Sequence, residues 1–96
     1  MDYAAVAQGL ARHGMRWAFG IPGGGPSLQL IDEMLRLGMH FVTTGHETTA
    51  ALMAGAVSKL SGAPSAAITI KGPGFMNLAP GLLSNAYEGL PMLSIA

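Results

Sequence analysis

Helix-period segments alternate with short apolar runs along this chain, separated by glycine and proline, and that rhythm constrains its fold more than any other feature. Tyr3, Val6, Ala7, Leu10 and Ala11 recur at the spacing of an amphipathic helix, which His13-Gly14 ends. Trp17-Ala18-Phe19-Gly20 reads as a strand. The breaker-dense Ile21-Pro22-Gly23-Gly24-Gly25-Pro26 is a loop. Ser27 is placed as N-cap of a second helix, with Leu28, Ile31 and Leu35 on one face and Gly38 at its close. His40-Phe41-Val42-Thr43 is a second strand, followed by a helix from about Gly45 to Leu60. Ala66-Ala67-Ile68-Thr69-Ile70 is a continuous apolar run, suited to a strand covered on both faces. A fourth helix carries Leu78, Leu82, Leu83, Ala86 and Tyr87. Its N-cap is placed near Asn77, so that Pro80 falls in the tolerant first turn. Met92-Leu93-Ser94-Ile95-Ala96 reads as a fourth strand. Such alternation implies an α/β fold, a parallel sheet with helices on both faces. Because the sequence stops within that last strand, residues 1–96 are expected to be the front part of something longer.

Composition supports the same expectation. Charged residues make up 10% of the 96, against about 25% in ordinary soluble domains. So few charges leave much of the exterior to be covered by further chain or by an identical subunit. Lys and Arg balance Asp and Glu, with no basic cluster, so nucleic-acid binding has no electrostatic basis. The chain has no cysteine, which removes disulfide frameworks and thiolate zinc sites. The strongly apolar stretch Ala50–Val57 is too short to span a bilayer. The start lacks the positive charge of a signal peptide. A cytoplasmic protein without membrane contact is expected.

Three features fall at strand ends, where open parallel sheets bind their ligands. Gly20–Pro26 lies between a strand and a helix but has neither the GxGxxG spacing nor the Lys-Ser/Thr of a P-loop. It is a tight turn or a close backbone approach to a flat ligand. Gly72-Pro73-Gly74-Phe75-Met76-Asn77 is a second such turn, without the third small residue of a dinucleotide fingerprint. Its plain reading has Asn77 as a helix cap. Third comes Glu47, in Thr44-Gly45-His46-Glu47. That spacing matches a capping box, with Thr44 as N-cap and Glu47 at N3. The alternative is a working acid/base group. HExxH chemistry is excluded, since Ala50 stands where the second histidine belongs. Lys71 could meet an anionic substrate or simply be solvated. His46 reads as structural, and His13 and His40 carry no partner pattern.

The order and spacing of Phe19-Gly20-Ile21-Pro22-Gly23-Gly24, His46-Glu47, Gly72-Pro73-Gly74-Phe75-Met76-Asn77, Asn85-Ala86-Tyr87 and Leu90-Pro91-Met92-Leu93 resembles the N-terminal pyrimidine-binding domain of thiamine-diphosphate enzymes. The nearest branch is that of acetolactate synthases and 2-oxo-acid decarboxylases. The resemblance covers essentially the whole chain. It implies a three-layer α/β/α fold with a six-stranded parallel sheet, of which four strands are present here. It implies that the glutamate matching Glu47 hydrogen-bonds the pyrimidine N1′ of thiamine diphosphate and so activates the cofactor toward a small 2-oxo acid. Pro22, Gly23, Gly24, Gly72, Pro73, Gly74 and Asn77 would approach the cofactor pocket. Diphosphate and Mg²⁺ would be held by a separate C-terminal domain of a neighbouring subunit, in a homo-oligomer that is at least a dimer. The all-apolar helix after Glu47 would lie at the subunit interface. Three departures stand out: Lys71 replaces a small hydroxyl residue, Pro80 is unusual in its helix, and no decarboxylase-type histidine can be assigned. The sequence has no Gly-Asp-Gly…Asn segment for Mg²⁺-diphosphate, so residues 1–96 are expected to be inactive alone. The alternative is a non-catalytic module that only assembles with a partner subunit.

Overall fold

The computed structural model describes all residues, Met1–Ala96. Helices and strands alternate as α1 (Tyr3–Arg12), β1 (Trp17–Gly20), α2 (Gly25–Arg36), β2 (His40–Thr43), α3 (Glu47–Ser61), β3 (Ala66–Ile68), α4 (Pro73–Glu88) and β4 (Leu93–Ile95). The strands form one sheet in the order β2-β1-β3-β4, every pair parallel. Trp17 pairs with His40 and Ala18 with Ala66.

Strand alternation divides the core into two layers. Ala18, Ala66 and Ile68 face α1 and α2, where they pack with Ala7, Leu30, Ile31 and Met34. Phe19 and Ala67 point to the opposite face and pack with Ala50, Ala51, Ala54 and Leu78 of α3 and α4. The result is the expected α/β/α sandwich. From β1 the chain steps to β2 through α2 on one face. From β3 it steps outward to β4 through α4 on the other. The adjacent ends of β1 and β3 therefore lead to opposite faces and leave a crevice between them.

The second face is built from small residues. A Cβ on Gly81 of α4 would stand 2.5 Å from the Ala51 Cβ and 2.9 Å from the Thr48 carbonyl oxygen of α3. One on Gly55 would meet the Asn85 side-chain amide at 2.7–2.8 Å. The Asn85 Nδ2 donates to the Ala51 carbonyl at 2.8 Å and to the Met92 sulfur at 3.0 Å. Thr48 meets Asn77 and Gly81, while Gly55 meets Asn85. The two helices thus run side by side in the same direction, starting at the same edge of the sheet.

Several helix starts differ from the sequence expectation. Gly24, not Ser27, is the N-cap of α2, because Pro26 suits the first turn, and Ser27 instead donates its hydroxyl back to the Gly23 carbonyl. The buried face of α2 is Leu30, Ile31 and Met34, whereas Leu28 and Leu35 are half exposed. β3 stops at Ile68, although the Thr69 N–H still donates to the Ile95 carbonyl at 2.9 Å. The N-cap of α4 is Gly72 rather than Asn77, so Pro80 lies inside the helix. Packing of Gly81 against α3 holds that turn helical despite the missing N–H. Leu83 and Tyr87 of α4 point to solvent, 60% and 84% exposed.

Gly81→Ala is expected to destabilise the protein by about 1–3 kcal/mol, since the added methyl has no room. Gly9→Ala, in α1 with nothing within 4 Å of its Cβ position, is expected to stabilise by about 0.5–1 kcal/mol. Urea unfolding of the two variants checks this contrast in sign.

Candidate functional site

The crevice at the ends of β1 and β3 gathers most of the residues singled out from sequence. After β1 the chain passes through Pro22, which is exposed, to Gly23 and Gly24. After β3 it passes through Thr69 and Ile70 to Gly72 and Pro73, both exposed, and to buried Gly74. A Cβ on Gly20 would overlap the Ile68 carbonyl, so the two strand ends touch backbone to backbone. Gly24 and Gly72 have φ of 70° and 80°, which glycine adopts without strain.

Ile70 links the two glycine segments. Its Cγ2 lies 3.6 Å from the Cβ position of Gly23 and 3.4 Å from that of Gly24. Its Cγ1 lies 3.1 Å from the Cβ position of Gly74. The Oε2 of Glu47 is 3.7 Å from that same point. Gly23, Gly24 and Gly74 therefore surround one isoleucine, and Glu47 reaches the last of the three. Asn77 is set apart, a turn further along α4, where its backbone carbonyl accepts the Thr48 hydroxyl at 2.5 Å.

The capping-box reading of Glu47 is corrected. His46 is the N-cap of α3, and its Nδ1 accepts the Thr48 N–H at 3.0 Å. Thr44 is buried and donates its hydroxyl to the His46 carbonyl at 2.8 Å. The imidazole reaches the second helical N–H, which displaces Thr44 from the cap and makes Glu47 the first helical residue. The half-buried Glu47 carboxylate takes no hydrogen bond or ion pair from the chain, whose only salt bridges join Arg36 to Asp32 and Glu33. A carboxylate so placed can exchange a hydrogen bond or a proton with a ligand group in the crevice.

Lys71 is exposed beside the second turn. Sequence reasoning overlooked Ile70 as a site residue and Thr48 altogether. A bulky β-branched residue just before a Gly-Pro-Gly turn is a faint signal for the first; the second has none, since its partner is 29 residues away. A concavity of about 310 Å³ lies elsewhere, between Asp2-Tyr3 and Gln29, Asp32 and Glu33. It contains none of the glycine turns. No His, Asp and Glu side chains cluster in a way that would hold a metal ion. No helix is long and apolar enough to cross a membrane.

A parallel α/β sheet with glycine turns and an unpaired carboxylate at its switch point defines a ligand-binding domain of the doubly wound class. Comparison with known proteins narrows that class. The family model described as thiamine pyrophosphate enzyme, N-terminal TPP binding domain, matches residues 3–96, and the chain belongs to that family. It is 37% identical over 91 residues to acetolactate synthase of Bacillus subtilis (strain 168), covering 95% of this chain and 16% of that protein. It is 32% identical over 90 residues to the catabolic acetolactate synthase of Raoultella terrigena, 94% and 16% respectively. Human 2-hydroxyacyl-CoA lyase 2 is 35% identical over 88 residues, 92% of this chain and 14% of that protein. The chain thus spans about one-sixth of the length of these relatives and corresponds to the N-terminal domain of acetolactate-synthase-like enzymes.

Gly24→Ala is expected to destabilise the protein by about 1–2 kcal/mol, because an L side chain resists its left-handed φ. Urea unfolding measures this directly.

Proposed function

We propose that this domain is the cofactor-activating part of a thiamine-diphosphate-dependent enzyme that decarboxylates or ligates 2-oxo acids. The observation that carries the reading is Glu47: a carboxylate at the first position of α3, free of partners in the chain, beside Gly74 in the switch-point crevice. The residues present fit the pyrimidine end of the cofactor. Gly45 and Gly72, two residues before Glu47 and Gly74 respectively, have nothing within 4 Å of their Cβ positions. Ile70, 42% exposed, offers an apolar surface to a flat ring.

When bound, thiamine diphosphate supplies the electron sink for breaking or forming a bond next to a carbonyl carbon. Glu47 holds and exchanges a proton at the pyrimidine N1′ atom. Gly23, Gly24 and Gly74 keep side chains out of the approach, and Pro22 and Pro73 stiffen the two turns. Asn77 contributes through its carbonyl, by holding Thr48 next to Glu47. The diphosphate and Mg²⁺ belong to a C-terminal domain outside these residues, presented by a second subunit. Assembly with that subunit is supported by the apolar outer sides of α3 and α4, where Leu52, Met53, Leu60, Met76, Leu83 and Tyr87 meet solvent.

In the protein that joins this domain to its diphosphate-binding domain, Glu47→Gln is expected to slow exchange of the cofactor C2 proton by about 10²–10⁴-fold. Circular dichroism is expected to show the fold retained. Near-normal exchange, read by proton NMR in D₂O, would leave the domain a non-catalytic module that only assembles with a partner. Residues 1–96 alone are expected to show no turnover of a 2-oxo acid; product above the no-protein control overturns that expectation.

A further inference from the structure

Pro80 interrupts α4 from within. It has no N–H for the Met76 carbonyl, and its ring crowds that carbonyl. The neighbouring Asn77 carbonyl is turned toward α3 and accepts the Thr48 hydroxyl at 2.5 Å. One turn further on, Gly81 leaves room for Thr48 itself: a Cβ there would stand 2.9 Å from the Thr48 carbonyl oxygen. α4 therefore presents a notch, with the Asn77 carbonyl at one end and bare Gly81 at the other, and the first turn of α3 seats in it. Thr48 is held at three points. His46 Nδ1 takes its N–H, Asn77 takes its hydroxyl, and Gly81 lies against its carbonyl. Glu47, the preceding residue, has no such tether, so its direction is inherited from Thr48.

The geometry points to Thr48 as the positioning residue for Glu47, acting through its hydrogen bond to the Asn77 carbonyl. This rests on the reading that Glu47 works at the cofactor. A role in stability alone would make any loss of function follow the loss of folded protein. A positioning role separates the two quantities.

The test uses the cofactor-loaded protein and three variants. Thr48→Val keeps the shape and deletes the hydroxyl; it is expected to slow C2 proton exchange per folded molecule by about 10- to 100-fold. Thr48→Ser restores the hydroxyl and is expected to recover most of that loss. Pro80→Ala gives its N–H to the Met76 carbonyl and leaves the Asn77–Thr48 bond in place, so the melting temperature is expected to rise with C2 exchange per folded molecule unchanged. Amide hydrogen exchange of the first turn of α3, read without cofactor, is expected to quicken in Thr48→Val and not in Thr48→Ser. Equal behaviour of the Val and Ser variants in both readouts overturns the inference. If Thr48→Val does not fold, Thr48→Ala, which also lacks the hydroxyl, takes its place under the same expectations. Glu47→Gln serves as reference: its failure to lose exchange sinks the reading of Glu47, whereas loss there with wild-type behaviour of Thr48→Val sinks only the role of Thr48.

Discussion

The near-contact of α3 and α4 is the constraint from which the rest of the arrangement follows. Gly81 and Gly55 let two helical backbones approach with only the Ala51 methyl and the Asn85 amide between them. Burial of Ala and Gly removes little apolar area per residue, so the stability of this layer comes from dispersion contacts that are sensitive to distance. Asn85 adds a directional bond to the Ala51 carbonyl within the dry interface, although its own Oδ1 is buried without a partner. A hydrogen bond in such surroundings fixes the register of the helices more than a Leu–Leu contact would. Register is what the site needs, since Glu47 starts one helix and Gly74 lies in the first turn of the other.

The layers on the two sides of the sheet differ in kind. Beneath α1 and α2, long flexible side chains such as Met15, Leu30, Met34 and Met39 fill the space. Methionine adapts to small shifts in its neighbours. Beneath α3 and α4, Phe19 and Leu78 are the only large members of a buried cluster otherwise made of alanines. One layer can absorb change; the other, which carries the carboxylate, has little slack.

Much of the architecture was legible in the sequence because period and punctuation agree. Trp17–Gly20 and His40–Thr43 are strands with the bounds their flanking residues indicate. The convergence of two glycine turns and Glu47 on one sheet edge followed from the parallel order of strands. Helix starts were less legible, since several residues compete for each cap and the winner is chosen by tertiary contact. Thr44 and His46 could each begin α3, and the reach of the His46 imidazole to the Thr48 N–H settled the choice. Asn77 looked like a cap because Pro80 needed an early position. The packing of Gly81 against Thr48 and Ala51, invisible to any local rule, keeps the helix continuous instead. Ile70 looked like one more strand residue, and only the fold brings it between glycines from two separate loops.

The starts of α2, α3 and α4 lie along a single edge of the sheet. Each leaves backbone N–H groups pointing outward, equivalent to roughly half a positive charge. A chain with equal numbers of acidic and basic side chains therefore has an uneven electrostatic surface. The positive potential along that edge comes from peptide geometry, so no change of pH within the stable range titrates it away, and no count of lysines and arginines reveals it.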